Sequence, residues 1–202
     1  MVKCLLSLVE EYIATNDLVI PLNPCVEVKW HPPDAPKFKM NVDGAVFLKQ
    51  RATGLGMVLR DSEGKVFVAM SKRLPVALAT LEAEAKCMEE AALFAWEMGF
   101  REVIFEMNSF TLSRILTGIL KPSISIETVT ITILSNAQNF RSISFTHIRR
   151  ARNRPTYFLA QFAKQIGDFV VWFEKTPYLI ECACTHDVSW FSLDMAKRVK
   201  IF

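Results

Sequence analysis

The chain has 202 residues, of which 51% are hydrophobic and 22% charged, with a net charge of +3. That length allows one domain with extensions and a sizeable core, and that balance excludes a disordered chain. So mild a charge neither demands nor forbids a nucleic-acid partner, because only a local cluster of cations could argue for one.

Met1 to Val9 is apolar, but Glu10 and Glu11 follow at once. The run is too short for a membrane span and lacks a small-residue cleavage site. Leu5, Leu6, Val9, Tyr12 and Ile13 share a helical face, so residues 1–17 are expected to form an amphipathic helix that docks on the domain or on a protein partner. Prolines 21, 24, 32, 33 and 36 make 18–36 a linker, with Val26, Val28 and Trp30 available to pack against the domain. The five cysteines are odd in number and no secretory signal precedes them. A reduced intracellular setting, nucleus or cytoplasm, is expected rather than a disulfide framework.

From Lys37 to Val42 polar and apolar residues alternate, the period of a half-buried strand running to Val46. Phe38, Met40 and Val42 share one face; Lys37, Lys39, Asn41 and Asp43 share the other. After a loop at Lys49 to Arg51, a second strand covers 54–60, Asp61 to Gly64 turn with Gly64 at positive φ, and a third strand covers 65–70. Short turns make these three an antiparallel meander. Leu78 to Met98 is a helix with Leu81, Ala85, Met88, Ala92, Ala95 and Trp96 as its apolar stripe, closed by Gly99. A fourth strand, 102–107, lies parallel to the first if that helix crosses the sheet.

Asn108 or Ser109 caps a second helix running to Leu120. Residues 124–139 read as a third helix despite the β-branched run from Thr128 to Ile133. A fifth strand covers 142–148. Asn153 as cap, with Pro155 in the first turn, starts a final helix to about Ile166. The folded unit is expected over 37–172, with an aromatic-rich tail over 173–202 that periodicity does not assign. Cys182, Cys184 and His186 within it lack the second ligand pair of a zinc site. The fold class is α/β: a mixed five-stranded sheet, three antiparallel strands then two parallel, flanked by helices.

Two features point to chemistry. Asp43 ends a strand beside Gly44, where backbone or ligand can come close, and Glu84 lies beside the buried stripe of the long helix. Carboxylates converging there could hold magnesium, which takes oxygen ligands and several waters. Arg149, Arg150, Arg152 and Arg154 cluster at a helix start, where a bound phosphate would relieve the clash with the helix dipole. His147 precedes them as a strand residue.

Asn41-Val42-Asp43-Gly44-Ala45 resembles the signature of the plant ribonuclease H type-1-like domain, which is similar to the ribonuclease H domains of non-LTR retroelements. The likeness extends through Trp30-His31-Pro32-Pro33, the hairpin Gly54-x-Gly56-x-Val58-x-Arg60-Asp61-x-x-Gly64, Glu82-Ala83-Glu84-Ala85, Arg101 to Ser109, and Phe145 to Ala160. It implies a domain that binds RNA–DNA hybrids and cuts the RNA strand with two magnesium ions; manganese could substitute in vitro. The family's catalytic positions fall on Asp43, Glu84, Asn108 and Tyr157, with metal held by Asp43, Glu84 and Asn108. Nucleic-acid contacts are expected at Gly44, Arg149, Arg150, Arg152 and Asn153.

Asn108 and Tyr157 depart from the pattern, because each replaces an expected ligand. A unit charge about 4 Å away is worth about 4 kcal/mol at an effective dielectric of 20, and roughly double that against a divalent ion. Tyrosine is neutral near neutrality and a poor magnesium ligand. Metal binding weakened at one site or both is therefore expected. Three functions stay open: a divergent hybrid ribonuclease, an inactive module holding hybrid or structured RNA, and a protein-interaction domain using the N-terminal helix or the tail.

Overall fold

The computed structural model describes residues 30–187. The elements are β1 (Phe38–Phe47), β2 (Ala52–Arg60), β3 (Val66–Leu74), α1 (Thr80–Glu97), β4 (Glu102–Met107), α2 (Phe110–Leu116), α3 (Ile124–Ala137), β5 (Ser142–His147), α4 (Arg154–Phe162) and β6 (Phe169–Phe173). Residues 178–187 form a further helix, α5. One six-stranded sheet runs in the order β5-β4-β1-β2-β3-β6.

β1 is where the two halves of the sheet meet. It pairs antiparallel with β2, Asp43 opposite Gly56, and parallel with β4, Val42 opposite Met107. Its alternation sends Met40 and Val42 into the larger core, with Met88 of α1, Leu112 of α2 and Ile133 of α3. The opposite face carries Ala45 and Phe47 against Ala160 and Ala163, and Val58 and Ala69 against Leu159, Ile180 and Cys184. Helices thus cover both faces, and every residue of β2 is buried.

Two glycines set the distance between layers. A Cβ on Gly44 would lie 2.7 Å from the Ala83 carbonyl carbon, so the first turns of α1 rest directly on β1. A Cβ on Gly56 would collide with the backbone of Thr156 and Ala160, so α4 rests on β2 in the same way.

The meander, the crossing helix and the parallel fourth and fifth strands stand as expected from the sequence. Gly64 and Gly99 take positive φ of 79° and 86°. Residues 124–137 are helical despite their β-branched run, because Ile126, Thr130 and Ile133 bury one face. Four expectations need correction. The sheet has a sixth strand, because β6 pairs with the free edge of β3, Val68 opposite Phe173. Part of the unassigned tail is α5, whose Ile180 and Cys184 pack on Val58 and Leu159. The second helix stops at Leu116, not Leu120, where Gly118 turns to φ 75° and the Ile119 N–H bonds back to Arg114. The final helix ends at Phe162 and tightens into one 3-10 turn over Ala163–Gln165. Trp30 is buried against the domain. The amphipathic segment over 1–17, Val26 and Val28 lie outside the described residues.

Candidate functional site

Asp43, Glu84, Asn108 and Asn153 converge at one end of the sheet. β1 brings Asp43 there, at 2% exposure. The close seat of α1 at Gly44 brings Glu84, at 5% exposure, one residue beyond the contact with Ala83. Asn108 follows the end of β4, and Asn153 precedes α4. The Asn153 amide donates to the Val42 carbonyl at 2.7 Å and to Asn108 Oδ1 at 3.0 Å. Asn153 was expected to cap α4 with its side chain. Its amide is instead spent on β1 and Asn108, and no side-chain cap forms.

Burial governs the electrostatics. It pushes Asp43 up to about 6, against the opposing pull of the Arg150 charge, the Gly44 N–H and the Asn108 side chain. Burial and the charge of Asp43 push Glu84 up to about 8. Two interacting carboxyls in so dry a place titrate as a pair, and the pair holds its protons to higher pH than ordinary carboxyls do. One oxygen of each, Asp43 Oδ1 and Glu84 Oε2, is buried without a hydrogen-bond partner. Cys87, fully buried beneath them, donates its thiol to the Gly56 carbonyl at 3.5 Å and has its pKa pushed far up.

The remaining residues lie around this centre. Gly44 contributes its N–H to both carboxyls and its lack of a side chain to the seat of α1. Arg150, exposed on a 3-10 turn over Arg150–Arg152, places positive charge near both carboxyls. Arg149 and Arg154 are exposed and Arg152 is half-buried. Tyr157 stands one helical turn beyond Asn153, 39% exposed, with its ring 5.7 Å from that of Phe158. The structure thus joins three of the four expected catalytic positions, and Tyr157 packs on its helix neighbour. Glu82 points elsewhere and accepts the Ala79 N–H at 3.0 Å.

The polar face of β1 carries a second cluster that the sequence reading missed. Glu106 accepts from Trp30 Nε1 and Asn41 Nδ2, each at 2.8 Å, and pairs with Lys39 at 2.8 Å. Arg60, wholly buried, donates to Asn41 Oδ1 at 2.9 Å and pairs with Asp187 of α5 at 2.7 Å. The Trp30 ring lies 3.3 Å from the guanidinium carbon. Asn41 lies two residues before Asp43 on β1, and Glu106 lies two residues before Asn108, which follows the end of β4. The signal was available: Lys39, Asn41 and Asp43 on one face of a central strand require buried partners.

For a metal, the donor set divides. Asp43 Oδ1 and Glu84 Oε2 are hard oxygens without partners, which fits one divalent ion completed by water. Among the described residues, no group of three or more His, Cys, Asp or Glu could hold a metal ion. The oxygen of Asn108 is already engaged by Asn153. No described helix is long and apolar enough to cross a membrane.

Residues 41–163 match the family model described as reverse transcriptase-like. No curated protein matches the sequence. Among solved structures, ribonuclease H1 of the halophilic archaeon Halobacterium salinarum is 21% identical, with a TM-score of 0.60 over 64% of this chain and 98% of that one. The N-terminal ribonuclease H domain of a Mycobacterium tuberculosis protein, solved as a fusion with maltose-binding protein, is 21% identical, with a TM-score of 0.59 over 64% and 94%. The LC11 ribonuclease H1, solved in complex with an RNA/DNA hybrid, is 21% identical, with a TM-score of 0.57 over 62% and 95%. These likenesses are of fold, a ribonuclease H-like fold, and the family match covers more than half of the sequence: the chain belongs to the reverse transcriptase-like family.

Proposed function

We propose that this domain binds RNA–DNA hybrid or structured RNA and holds a single divalent cation, magnesium by ligand chemistry, on Asp43 and Glu84. The observation that carries the reading is the pair of buried carboxyl oxygens with no partner inside the protein. Such oxygens are costly unless something occupies them, and a hard cation suits them best. Two solved relatives in fold are ribonucleases H1, one of them holding an RNA/DNA hybrid.

The bound ion would supply positive charge at a phosphodiester. The chain's own residues do the rest. Gly44 and α1 fix Asp43 and Glu84 face to face. Asn153 holds Asn108 in place. Arg149, Arg150 and Arg154 hold phosphate on the exposed approach. The Asp43–Glu84 pair, held above the ordinary carboxylate range by burial, must give up its proton before it can bind a cation.

Asn108 lacks the charge that a second cation position needs, and Tyr157 contributes none. Hybrid cleavage is therefore weak. A second reading, a binding module without cleavage, draws on the same two residues and on Arg150, whose charge already offsets part of the pair's.

The test uses an end-labelled RNA–DNA hybrid with magnesium, then manganese, beside Asp43→Asn. Slow cleavage that disappears in Asp43→Asn is expected, with a rise of at least tenfold in the double variant Asn108→Asp/Tyr157→Asp. A hybrid that shifts on a gel but is cut by none of these proteins would establish the binding module. Absence of any shift would remove nucleic acid as the ligand.

A further inference from the structure

We propose that Phe110 and His147 form a stacking site for an unpaired base of an RNA strand, beside the Asp43–Glu84 pair. The inference rests on the nucleic-acid reading above and adds to it a place for an unpaired base.

Phe110 is 59% exposed at the first position of α2. The helix does not need it for burial, since Leu112, Ile115 and Leu116 fill its core face. Nor does it cap the helix, because the Ser109 hydroxyl accepts the Leu112 N–H. Its ring meets that of His147, also exposed, at 5.3 Å between centroids and 81° between planes. Arg114, one turn along α2, holds its guanidinium carbon 5.5 Å from the same ring. Two exposed rings that stack on nucleobases therefore meet in solvent, backed by a half-buried guanidinium against one of them, with no core of their own to fill.

Their place gives them a ligand. Met107 and His147 are register partners on neighbouring parallel strands, and Val42 pairs with Met107 on the other side. The platform thus stands at the strand ends that deliver Asp43 and Asn108. Arg149 and Arg150 begin two residues beyond His147. A strand whose phosphate is held by these arginines runs past the same strand end that carries the His147 and Phe110 rings. Bases inside a continuous duplex present only their edges, whereas an unpaired base presents its face. Stacking of that kind tolerates any base, so the site selects strandedness over sequence.

The test measures binding in EDTA, where cleavage plays no part. One probe is a short single-stranded RNA carrying 2-aminopurine; the other is a continuous RNA–DNA hybrid. Wild-type protein is expected to quench the 2-aminopurine. Phe110→Ala should lose the quench and weaken single-strand binding by about 5- to 100-fold, while hybrid binding changes by less than about twofold. Phe110→Trp should keep both. Arg149→Ala should weaken both probes and flatten the salt dependence. Single-strand binding and quench unchanged in Phe110→Ala would overturn the stacking site and leave the nucleic-acid reading standing. Equal losses on both probes would do the same. Binding of neither probe by the wild type would overturn both.

Discussion

Asp43 and Glu84 make the site sensitive to pH before any ligand is bound. Both folded pKa values lie above their ordinary ones, to about 6 from 3.8 and to about 8 from 4.5. The folded protein therefore holds protons that the unfolded chain has released. Stability fully present below about pH 4 is lost as pH rises through 6 and then 8, by up to about 1.4 kcal/mol per pH unit for each proton in question. Urea melts of the metal-free protein should show this decline, and Glu84→Gln should flatten its upper part. A protein whose stability rose with pH over that range would show that the pair is not dry. Asn108→Asp adds a third carboxyl to the cluster. It should lower the melting temperature in EDTA and raise the gain on adding magnesium, which scanning calorimetry can read without any substrate. Asp43 was legible in the sequence through the Asn41-Val42-Asp43-Gly44-Ala45 signature, since a strand-end acid beside glycine is by itself more often merely solvated. Glu84 was legible from its place beside the apolar stripe of the long helix. The second use of Asn153 was not legible, since asparagine before a helix looks like a cap whichever way its amide turns.

The elements are held in place by contacts of very different kinds. α4 lies on Gly56 with backbone against backbone, so Gly56→Ala should cost about 1–3 kcal/mol or more, and a denaturant midpoint will show it. α5 is held by Ile180 and Cys184 in the core and by Asp187 on a guanidinium with no solvent exposure at all. Breaking such a pair leaves a buried charge uncompensated, so Asp187→Asn should destabilise by about 3–5 kcal/mol. The double variant Arg60→Met/Asp187→Leu should recover most of that loss. Equal stability of wild type and Asp187→Asn would mean that α5 is not fastened through this pair. Strands β1 to β5 and helices α1 to α4 were legible because each carries its own period and its own turn residues, such as Gly64 and Gly99. β6 and α5 were not. Their residues sit in an aromatic stretch whose burial is partial, and β6 is specified by the unpaired edge of β3 rather than by its own pattern.

At the scale of the whole molecule, the family match ends at residue 163, but the fold does not. The sheet gains its sixth strand after that point, and the charge of Arg60 finds its partner later still, at Asp187. Fold class was recoverable from sequence because β1, α1 and β4 follow one another in the chain and each carries its own strand or helix period. The Trp30–Glu106–Asn41–Arg60–Asp187 chain was not, because it ties together positions separated by up to 127 residues. β6 also has a consequence for how copies of the chain meet one another. It covers the N–H and C=O groups along one side of β3 from Val68 to Lys72. A fragment ending at residue 163 would leave that side open as a template for any strand, including one from a second copy. Light scattering of such a fragment should show association that grows with concentration, while the full chain stays dispersed under the same conditions. The short strand paired with β3 thus hides an edge that the shorter fragment would expose.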